Sequence, residues 1–499
     1  MTAETARRTA ARRLSSLGLR AEGGHDPEIE ALAVESRAVR PGALFAALPG
    51  TRRHGAGFAA DALSRGAAAV LTDSQGARQA GAAVRAAGAA LVVAADPRAA
   101  LAGAAALFFA MQPETMVAVT GTNGKTSVAS FTRQIWEAEG RVAASLGTLG
   151  VEGAVSLPLA HTTPEPVTLH DRLAMLAAHG VSHAAMEASS HGLVQRRLDG
   201  VRLAAAGFTN ITRDHLDYHP DFGSYFDAKA GLFTRVLAAD GTAVINIAGA
   251  GGEEMAGRAG AAGRGVMTVG GPGADLALIA SQRDLTGQRL RVAHGGAAHE
   301  VRLDLVGDFQ VANTLVAAGL AIATGSAPAE AITALSRLAP VRGRMQRAAV
   351  RANGAAVFVD YAHTPDALAT ALAALRPHVM GRIAVVFGAG GARDRGKRPL
   401  MGQAAAKHAD VVIVTDDNPR DADPGAIRAE ILQGCPDATE IGDRAEAILR
   451  GCAALGPGDA LLVAGKGHET GQVIGAETYP FNDVEQASIA VAALDGRGA

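Results

Sequence analysis

Lys125, Thr126 and Ser127 follow directly on Thr120-Gly121-Thr122-Asn123-Gly124, an order of residue types that could hold a nucleoside triphosphate. A glycine-bearing turn lets backbone N–H groups face inward, a lysine can reach the terminal phosphates, and a threonine hydroxyl can hold Mg2+. The helix that follows adds the positive end of its dipole. Upstream, the apolar run 116–119 reads as a buried parallel strand; downstream, Val128, Phe131 and Ile135 recur at helical spacing. The pattern predicts strand, phosphate loop, helix. The residue five before Gly124 is Val119, where the common phosphate-loop pattern has glycine, so the segment by itself also admits a plain structural turn.

Other chemistry-bearing residues sit where further apolar runs end. Run 181–186 stops on Glu187, and an acidic residue at the carboxyl end of a strand beside a phosphate loop is where a Mg2+-coordinating carboxylate belongs; a helix-capping acid is the alternative. A strand-like start at Phe208 leads into Asn210, Asp214, His215, Asp217 and His219, a crowding of titratable groups that suits a site. His161-Thr162-Thr163-Pro164 forms a polar loop, and Glu35-Ser36-Arg37 precedes a strand candidate at 43–48. Lys229 lies on a helical stretch, where composition alone predicts a solvent-exposed cation. Toward the C-terminus, Arg342-Gly343-Arg344 is a basic turn. Strand candidates 355–359, 383–387, 411–414 and 460–463 then end on Asp360, on Gly388-Ala389-Gly390 with Arg393, on Asp417-Asn418-Pro419-Arg420 and on Gly465-Lys466-Gly467-His468-Glu469. A dinucleotide fingerprint at Gly388 is disfavoured, because its third glycine position holds Arg393.

The elements that must position these groups are strands alternating with helical stretches, which means βαβ units with ligands outside the carboxyl ends of the strands. At 499 residues the chain is long enough for roughly three domains. Asp96-Pro97 interrupts the pattern, since proline pushes the preceding residue out of the helical region, and Pro340 opens another segment. The predicted domains are therefore 1–96, 97–339 and 340–499, all α/β, with 249–273 read as a loose connection or irregular helix. A net charge of −2 leaves no electrostatic footprint for nucleic acid or an anionic membrane. No apolar run reaches the 18 or so residues of a membrane span, and the arginines at 7, 8, 12 and 13 precede no secretory apolar region. Cys435 and Cys452 have no metal-ligand spacing and read as ordinary thiols of a reducing compartment, so a cytoplasmic protein is expected.

Together the clusters fit an enzyme that activates a carboxylate with ATP as an acyl phosphate for attack by an amine. The residues alone do not separate this from a kinase or a domain-moving ATPase. Nearly end to end, however, the chain resembles the Mur ligase family, in the branch that adds the third residue of the peptidoglycan stem peptide. The resemblance rests on Thr120-Gly-Thr-Asn-Gly-Lys-Thr126, Met186-Glu-Ala-Ser-Ser-His-Gly192, segment 210–219, Asp360-Tyr-Ala-His-Thr-Pro365, Arg393-Asp-Arg-Gly-Lys-Arg-Pro399 and Gly465-Lys-Gly-His-Glu469.

That resemblance implies an N-terminal α/β domain for the uridine nucleotide, a central phosphate-loop ATPase and a C-terminal Rossmann-like domain for the incoming amino acid. It also implies an activity, the ATP-dependent joining of meso-2,6-diaminopimelate to UDP-MurNAc-L-Ala-D-Glu. Gly121, Thr122, Asn123, Gly124, Lys125, Thr126, Asn313, Arg344 and Asp360 would hold ATP. Thr126, Glu187, His215 and Lys229 would hold Mg2+, Lys229 as a carbamate, with Lys125, Lys229 and His215 catalytic. Ser36 would contact uridine, and Thr162, Thr163, Ser189, Gln195 and Arg197 the muramoyl dipeptide. Arg393, Asp417, Asn418, Pro419, Arg420, Gly465 and Glu469 would form the diaminopimelate site, with Glu469 toward the distal ammonium.

A guanidinium at Arg420 offers a fork to the distal carboxylate, which lysine lacks. If buried, it would disfavour lysine by on the order of a few kcal/mol. The partners implied are these small molecules alone, with a monomeric chain. Glu35, Gln310 and Gln346 depart from the family pattern, which has aspartate, asparagine and glutamate there. A sister ligase acting on folate or on D-Ala-D-Ala, and a noncatalytic nucleotide-binding scaffold, are the competing readings. The first is disfavoured by tetrapeptide 417–420, and the second is testable at Lys125.

Overall fold

The computed structural model describes residues 10–50, 53–212, 218–284, 286–391 and 395–496. They pack as two compact units, Met1–Val269 with Gly319–Ser326, and Gly270–Ala318 with Ala327–Ala499.

One sheet of the first unit has four parallel strands paired in chain order, β1 (Ala31–Ala33), β2 (Ala43–Ala46), β3 (Ala69–Thr72) and β4 (Ala90–Val93). β2 and β3 are buried at every position, the mark of a strand covered on both faces. Helix α1 (Ser74–Ala86) is capped by Asp73, whose Oδ1 accepts from the Gly76 N–H at 2.7 Å. Helix α2 (Pro97–Phe109) starts at the predicted break: Asp96 accepts from the Ala99 N–H, and Pro97 occupies the first turn, where its missing N–H costs nothing.

A second sheet of this unit is built from β5 (Thr115–Thr120), β6 (Ala143–Gly147), β7 (Gly150–Gly153), β8 (His183–Glu187), β9 (Ala205–Phe208), β10 (Thr242–Asn246) and β11 (Gly265–Gly270), in the order β11-β10-β9-β5-β8-β6-β7. All pairs are parallel except β6 with β7. β5 therefore lies between β9 and β8, and the segments leaving all three strands emerge side by side. Helix α3 (Lys125–Ala138) follows β5, with Val128, Phe131 and Ile135 fully buried as their spacing predicts. The later elements used below are α4 (Pro166–Ala178), α5 (Ser190–Val194) and α6 (Phe222–Gly231). Stretch 249–273 is more regular than its composition predicts, with α7 (Gly252–Ala261) leading into β11. Glycine and alanine hide the period there, yet Met255 and Ala259, one turn apart, are both fully buried.

The second unit opens with an antiparallel meander that the sequence reading passed over, β12 (Leu276–Asp284), β13 (Gly287–His294) and β14 (Ala297–Leu303). Its signal was present: Leu290 and Val292 are buried while Arg289 and Arg291 are exposed, and Gly295-Gly296 makes the turn. Helix α8 (Asp308–Ala323) follows, of which residues 308–318 belong to this unit. The unit's main sheet runs β15 (Gln346–Val350), β16 (Ala356–Asp360), β20 (Ala460–Ala464), β17 (Ile383–Phe387), β18 (Val411–Val414), β19 (Thr439–Glu440), parallel except at β15. Helices α9 (Pro365–Leu375), α10 (Lys397–His408) and α11 (Pro424–Leu432) cover one face; α12 (Arg444–Ala453) and α13 (Asp483–Leu494) cover the other. That is the doubly wound arrangement expected of a Rossmann-like domain. Cys435 and Cys452 are free, buried thiols, and among the described residues no helix is long and apolar enough to cross a membrane.

Candidate active site

The phosphate loop turns sharply at Gly121, whose φ of +152° is open only to glycine and whose missing Cβ would lie 1.9 Å from Thr209 Oγ1. Threonine 209 donates to the Asn123 carbonyl at 2.6 Å, and Asn210 Oδ1 accepts from the Asn123 N–H at 3.1 Å. The segment leaving β9 therefore clamps the loop leaving β5. Lys125 folds over the loop, its ammonium donating to the carbonyls of Gly121 and Thr122 at 2.9 and 2.8 Å. Thr122 also pairs with the Tyr225 hydroxyl of α6 at 3.0 Å.

One turn further along α6, Lys229 is 1 % exposed, against the surface position that composition predicts. Its ammonium donates to the Gly121 carbonyl at 2.7 Å and lies 4.5 Å from the centre of the Tyr225 ring.

Glu187, at the end of β8, is 1 % exposed. Its Oε1 accepts from the Thr148 N–H at 2.7 Å and its Oε2 from the Thr148 hydroxyl at 3.4 Å. Thr148 Oγ1 also lies 3.0 Å from Thr162 Oγ1. Thr163 donates to the Glu187 carbonyl at 2.9 Å and accepts from the Ser189 N–H at 3.0 Å, so its hydroxyl is committed internally. Ser189 caps α5 through the Gly192 N–H, and Arg197 reaches the Thr163 carbonyl at 2.5 Å and Gln195 Oε1 at 2.8 Å. Thr162, Thr163, Ser189, Gln195 and Arg197 thus form one network around the Glu187 strand end.

Thr126 and Glu187 line a common cleft with Ser130, Ser145 and Glu152. Among the described residues no cluster of three His, Cys, Asp or Glu side chains could hold a metal ion. A hydroxyl and one carboxylate nevertheless fit Mg2+, which keeps several waters and is completed by substrate phosphates. Ser36 stands elsewhere in this unit, half-buried on the turn after β1.

In the second unit, Asn313 donates to Gln310 Oε1 and Gln310 donates to the Arg344 carbonyl, each at 3.2 Å. Gln346 Oε1 accepts from the Gly343 N–H at 2.9 Å. The two neutral amides that depart from the family pattern thus hold the basic turn. Asp360 accepts from the N–H groups of Met345 and Ala362 at 2.6 and 2.9 Å. Desolvation raises its carboxyl above the ordinary range against the pull of Arg344. The Arg344 guanidinium lies 4.6 Å from the Tyr361 ring centre, and burial, with Arg344 and Arg342 nearby, takes the His468 imidazole down to about 4.

The loops leaving β18 and β20 meet. Gly465, at φ +115°, lets Asp417 Oδ2 approach to 2.4 Å from where a Cβ would be. Asn418 donates to Glu469 Oε2 at 2.8 Å. Arg420 adopts φ +53°, and its backbone pairs with Val473 and Gly475. Its side chain is exposed, so it is not the buried charge that rejection of lysine by desolvation would need. Pro419 is buried beside it. His215 and Arg393 lie outside the described residues. The sequence reading missed Thr148, Tyr225 and Arg444, and quoted Lys466 in its strand-end cluster without a role of its own. Thr148 follows the buried strand β6 and was open to the same strand-end rule, whereas Tyr225 and Arg444 are placed only by packing.

Comparison with known proteins places the chain. Residues 28–109 match the model described as Mur ligase family, catalytic domain, 119–321 the Mur ligase middle domain and 343–467 the Mur ligase, glutamate ligase domain. A curated protein of Agrobacterium fabrum named UDP-N-acetylmuramoyl-L-alanyl-D-glutamate--2,6-diaminopimelate ligase is 51 % identical over 470 residues, 94 % of each chain. A solved structure with the same name shares 33 % identity at a TM-score of 0.72, covering 97 % of this chain and 99 % of that one. The MurF ligase of Thermotoga maritima, solved with ADP, shares the fold at a TM-score of 0.60 and 16 % identity, over 97 % and 99 % of the two chains. With the phosphate loop, Glu187 and the buried Lys229 gathered at the ends of β5, β8 and α6, and family models matched along most of its length, this chain belongs to the Mur ligase family.

Proposed function

We propose that the protein adds meso-2,6-diaminopimelate to UDP-N-acetylmuramoyl-L-alanyl-D-glutamate at the expense of ATP, forming the tripeptide precursor of peptidoglycan. The observation that carries this reading is the near full-length 51 % identity to relatives bearing that name, in a chain that keeps Asp417-Asn418-Pro419-Arg420 at a strand end of the second unit.

A carboxylate oxygen of the dipeptide's glutamate attacks the γ-phosphorus of ATP, giving an acyl phosphate and ADP. The diaminopimelate amine then attacks the acyl carbon, phosphate leaves and the nitrogen loses a proton. Backbone N–H groups at the start of α3 and the Lys125 ammonium receive the phosphates, and the lysine trades its two loop carbonyls for phosphoryl oxygens. Thr126, Glu187, Lys229 as its carbamate and His215 are the residues proposed to hold Mg2+, which when bound offsets the charge on the phosphoryl oxygens. Thr148 fixes the Glu187 carboxylate. Ser36 is assigned to uridine; Thr162, Thr163, Ser189, Gln195 and Arg197 to the muramoyl dipeptide; Asn313, Arg344 and Asp360 to ATP; and Arg393, Asp417, Asn418, Pro419, Arg420, Gly465 and Glu469 to diaminopimelate.

Three functional modules, 1–96, 97–339 and 340–499, a monomeric state and a cytoplasmic location complete the reading; the three matched segments support the modules. The test is phosphate release with purified protein. Release should require ATP, the UDP-linked dipeptide and diaminopimelate together, and equal release with L-lysine would overturn the assigned amino acid.

A further inference from the structure

Lys466 has no exposed side-chain surface, yet it is absent from every role assigned above. Its ammonium donates to Asn418 Oδ1 at 2.9 Å and to Glu469 Oε2 at 3.2 Å. Asn418 Oδ1 also accepts from the Val473 N–H at 2.9 Å, and the Asn418 amide donates to the same Glu469 oxygen at 2.8 Å. The triangle of Lys466, Asn418 and Glu469 therefore joins the segments leaving β18 and β20 through one buried cation. Within it the Asn418 side chain is spent on holding its neighbours. Glu469 Oε2 is tied twice, whereas its Oε1 takes no hydrogen bond from the described residues, and the side chain is 33 % exposed.

A carboxylate with one oxygen anchored and one presented suits an ammonium group on a ligand, and the anchor decides where the presented oxygen points. We propose that Lys466 is a positioning residue for the amino-acid substrate: it orients Glu469, through a direct ion pair and through Asn418, toward an ammonium of the incoming diamino acid. This deepens the proposed function and rests on its assignment of diaminopimelate to this unit. Arg444 offers the contrast. It is also buried and near the same loops, but its bonds go to Asp483 and to the backbone carbonyls of Asp416 and Ala464, so it supports the fold and touches neither Asn418 nor Glu469 side chains.

The test is steady-state phosphate release by the full chain, first with wild type and then with Lys466→Met and Lys466→Arg, varying ATP, diaminopimelate and 2-aminopimelate, which lacks the distal ammonium. If wild type does not use diaminopimelate, the functional reading fails before the proposal is tried. Given wild-type use, Lys466→Met should raise KM for diaminopimelate about tenfold or more while KM for ATP stays within about twofold. The advantage of diaminopimelate over 2-aminopimelate should collapse, and Lys466→Arg should recover part of it. Parallel changes in both KM values, or an unchanged preference between the two amino acids, would overturn the proposal. Should Lys466→Met fail to fold, Lys466→Arg alone decides, because a shifted charge must alter the preference between the two amino acids and a purely structural cation would leave it unchanged.

Discussion

Arg444 donates from Nε and Nη2 to the two oxygens of Asp483 at 2.8 and 2.7 Å, with both side chains fully buried and the residues 39 positions apart in the chain. The pair ties α12 to α13, and the same guanidinium holds the carbonyls of Asp416 and Ala464. Removing one partner leaves a buried charge uncompensated. Asp483→Ala should therefore destabilise the second unit by about 3–5 kcal/mol, read as a lowered melting temperature and faster amide exchange in β18 and β20. An unchanged melting temperature would show that solvent reaches the pair.

Lys125→Ala should leave the fold intact, because the lysine sits on the phosphate-loop turn and its bonds to the Gly121 and Thr122 carbonyls are local to that loop. Phosphate release should fall about 100-fold or more, since the ammonium's contribution is made to the transferring phosphoryl group. A variant that retains most of its turnover would favour the noncatalytic scaffold reading.

Burial of Lys229 against Tyr225 and the Gly121 carbonyl makes it the lysine to examine for a carbamate. Carbon-13 NMR of protein equilibrated with labelled bicarbonate should show a carbamate resonance that Lys229→Ala lacks. Activity of that variant should be lost and then partly restored by added short-chain carboxylates. A carbamate signal that persists in Lys229→Ala would place the modification elsewhere.

His170, on α4, is 2 % exposed, and its Nε2 has no hydrogen-bond partner among the described residues. Burial takes the imidazole from its ordinary 6.5 down to about 4. The unfolded chain therefore binds this proton at pH values where the folded chain does not. This contribution to stability is full above pH 6.5 and is lost as pH falls from 6.5 toward 4, amounting to about 3 kcal/mol in all. Unfolding midpoints measured across that window should flatten in His170→Leu, and an identical pH slope in the variant would refute the assignment.

Because Arg420 is exposed, its replacement should not disturb the fold. Arg420→Ala should raise KM for diaminopimelate about 10- to 100-fold, the loss of a charge-assisted fork, with little change in KM for ATP. Equal effects on both substrates would remove Arg420 from the amino-acid site.

What the sequence determined by itself is local. Strands β17 and β18 lie where their apolar runs end, and the phosphate loop, Glu187, Asp360 and tetrapeptide 417–420 all stand at strand termini, as parallel α/β architecture demands. A buried parallel strand is a short apolar run and its turn carries its own residue signature, so both are legible without knowing what they pack against. Tertiary structure alone decided what depends on neighbours distant in the chain. Composition reads Lys229 as an ordinary surface lysine, and the cluster 465–469 does not mark Lys466 as buried; their burial follows only when α6 packs on the Gly121 turn and the β18 and β20 loops meet. Arg420 differs from both: its backbone, at a left-handed φ, pairs with residues 473 and 475, and its side chain is exposed. Residue type sets what a side chain can do; desolvation and partner geometry, which are sums over long-range contacts, set whether it does so.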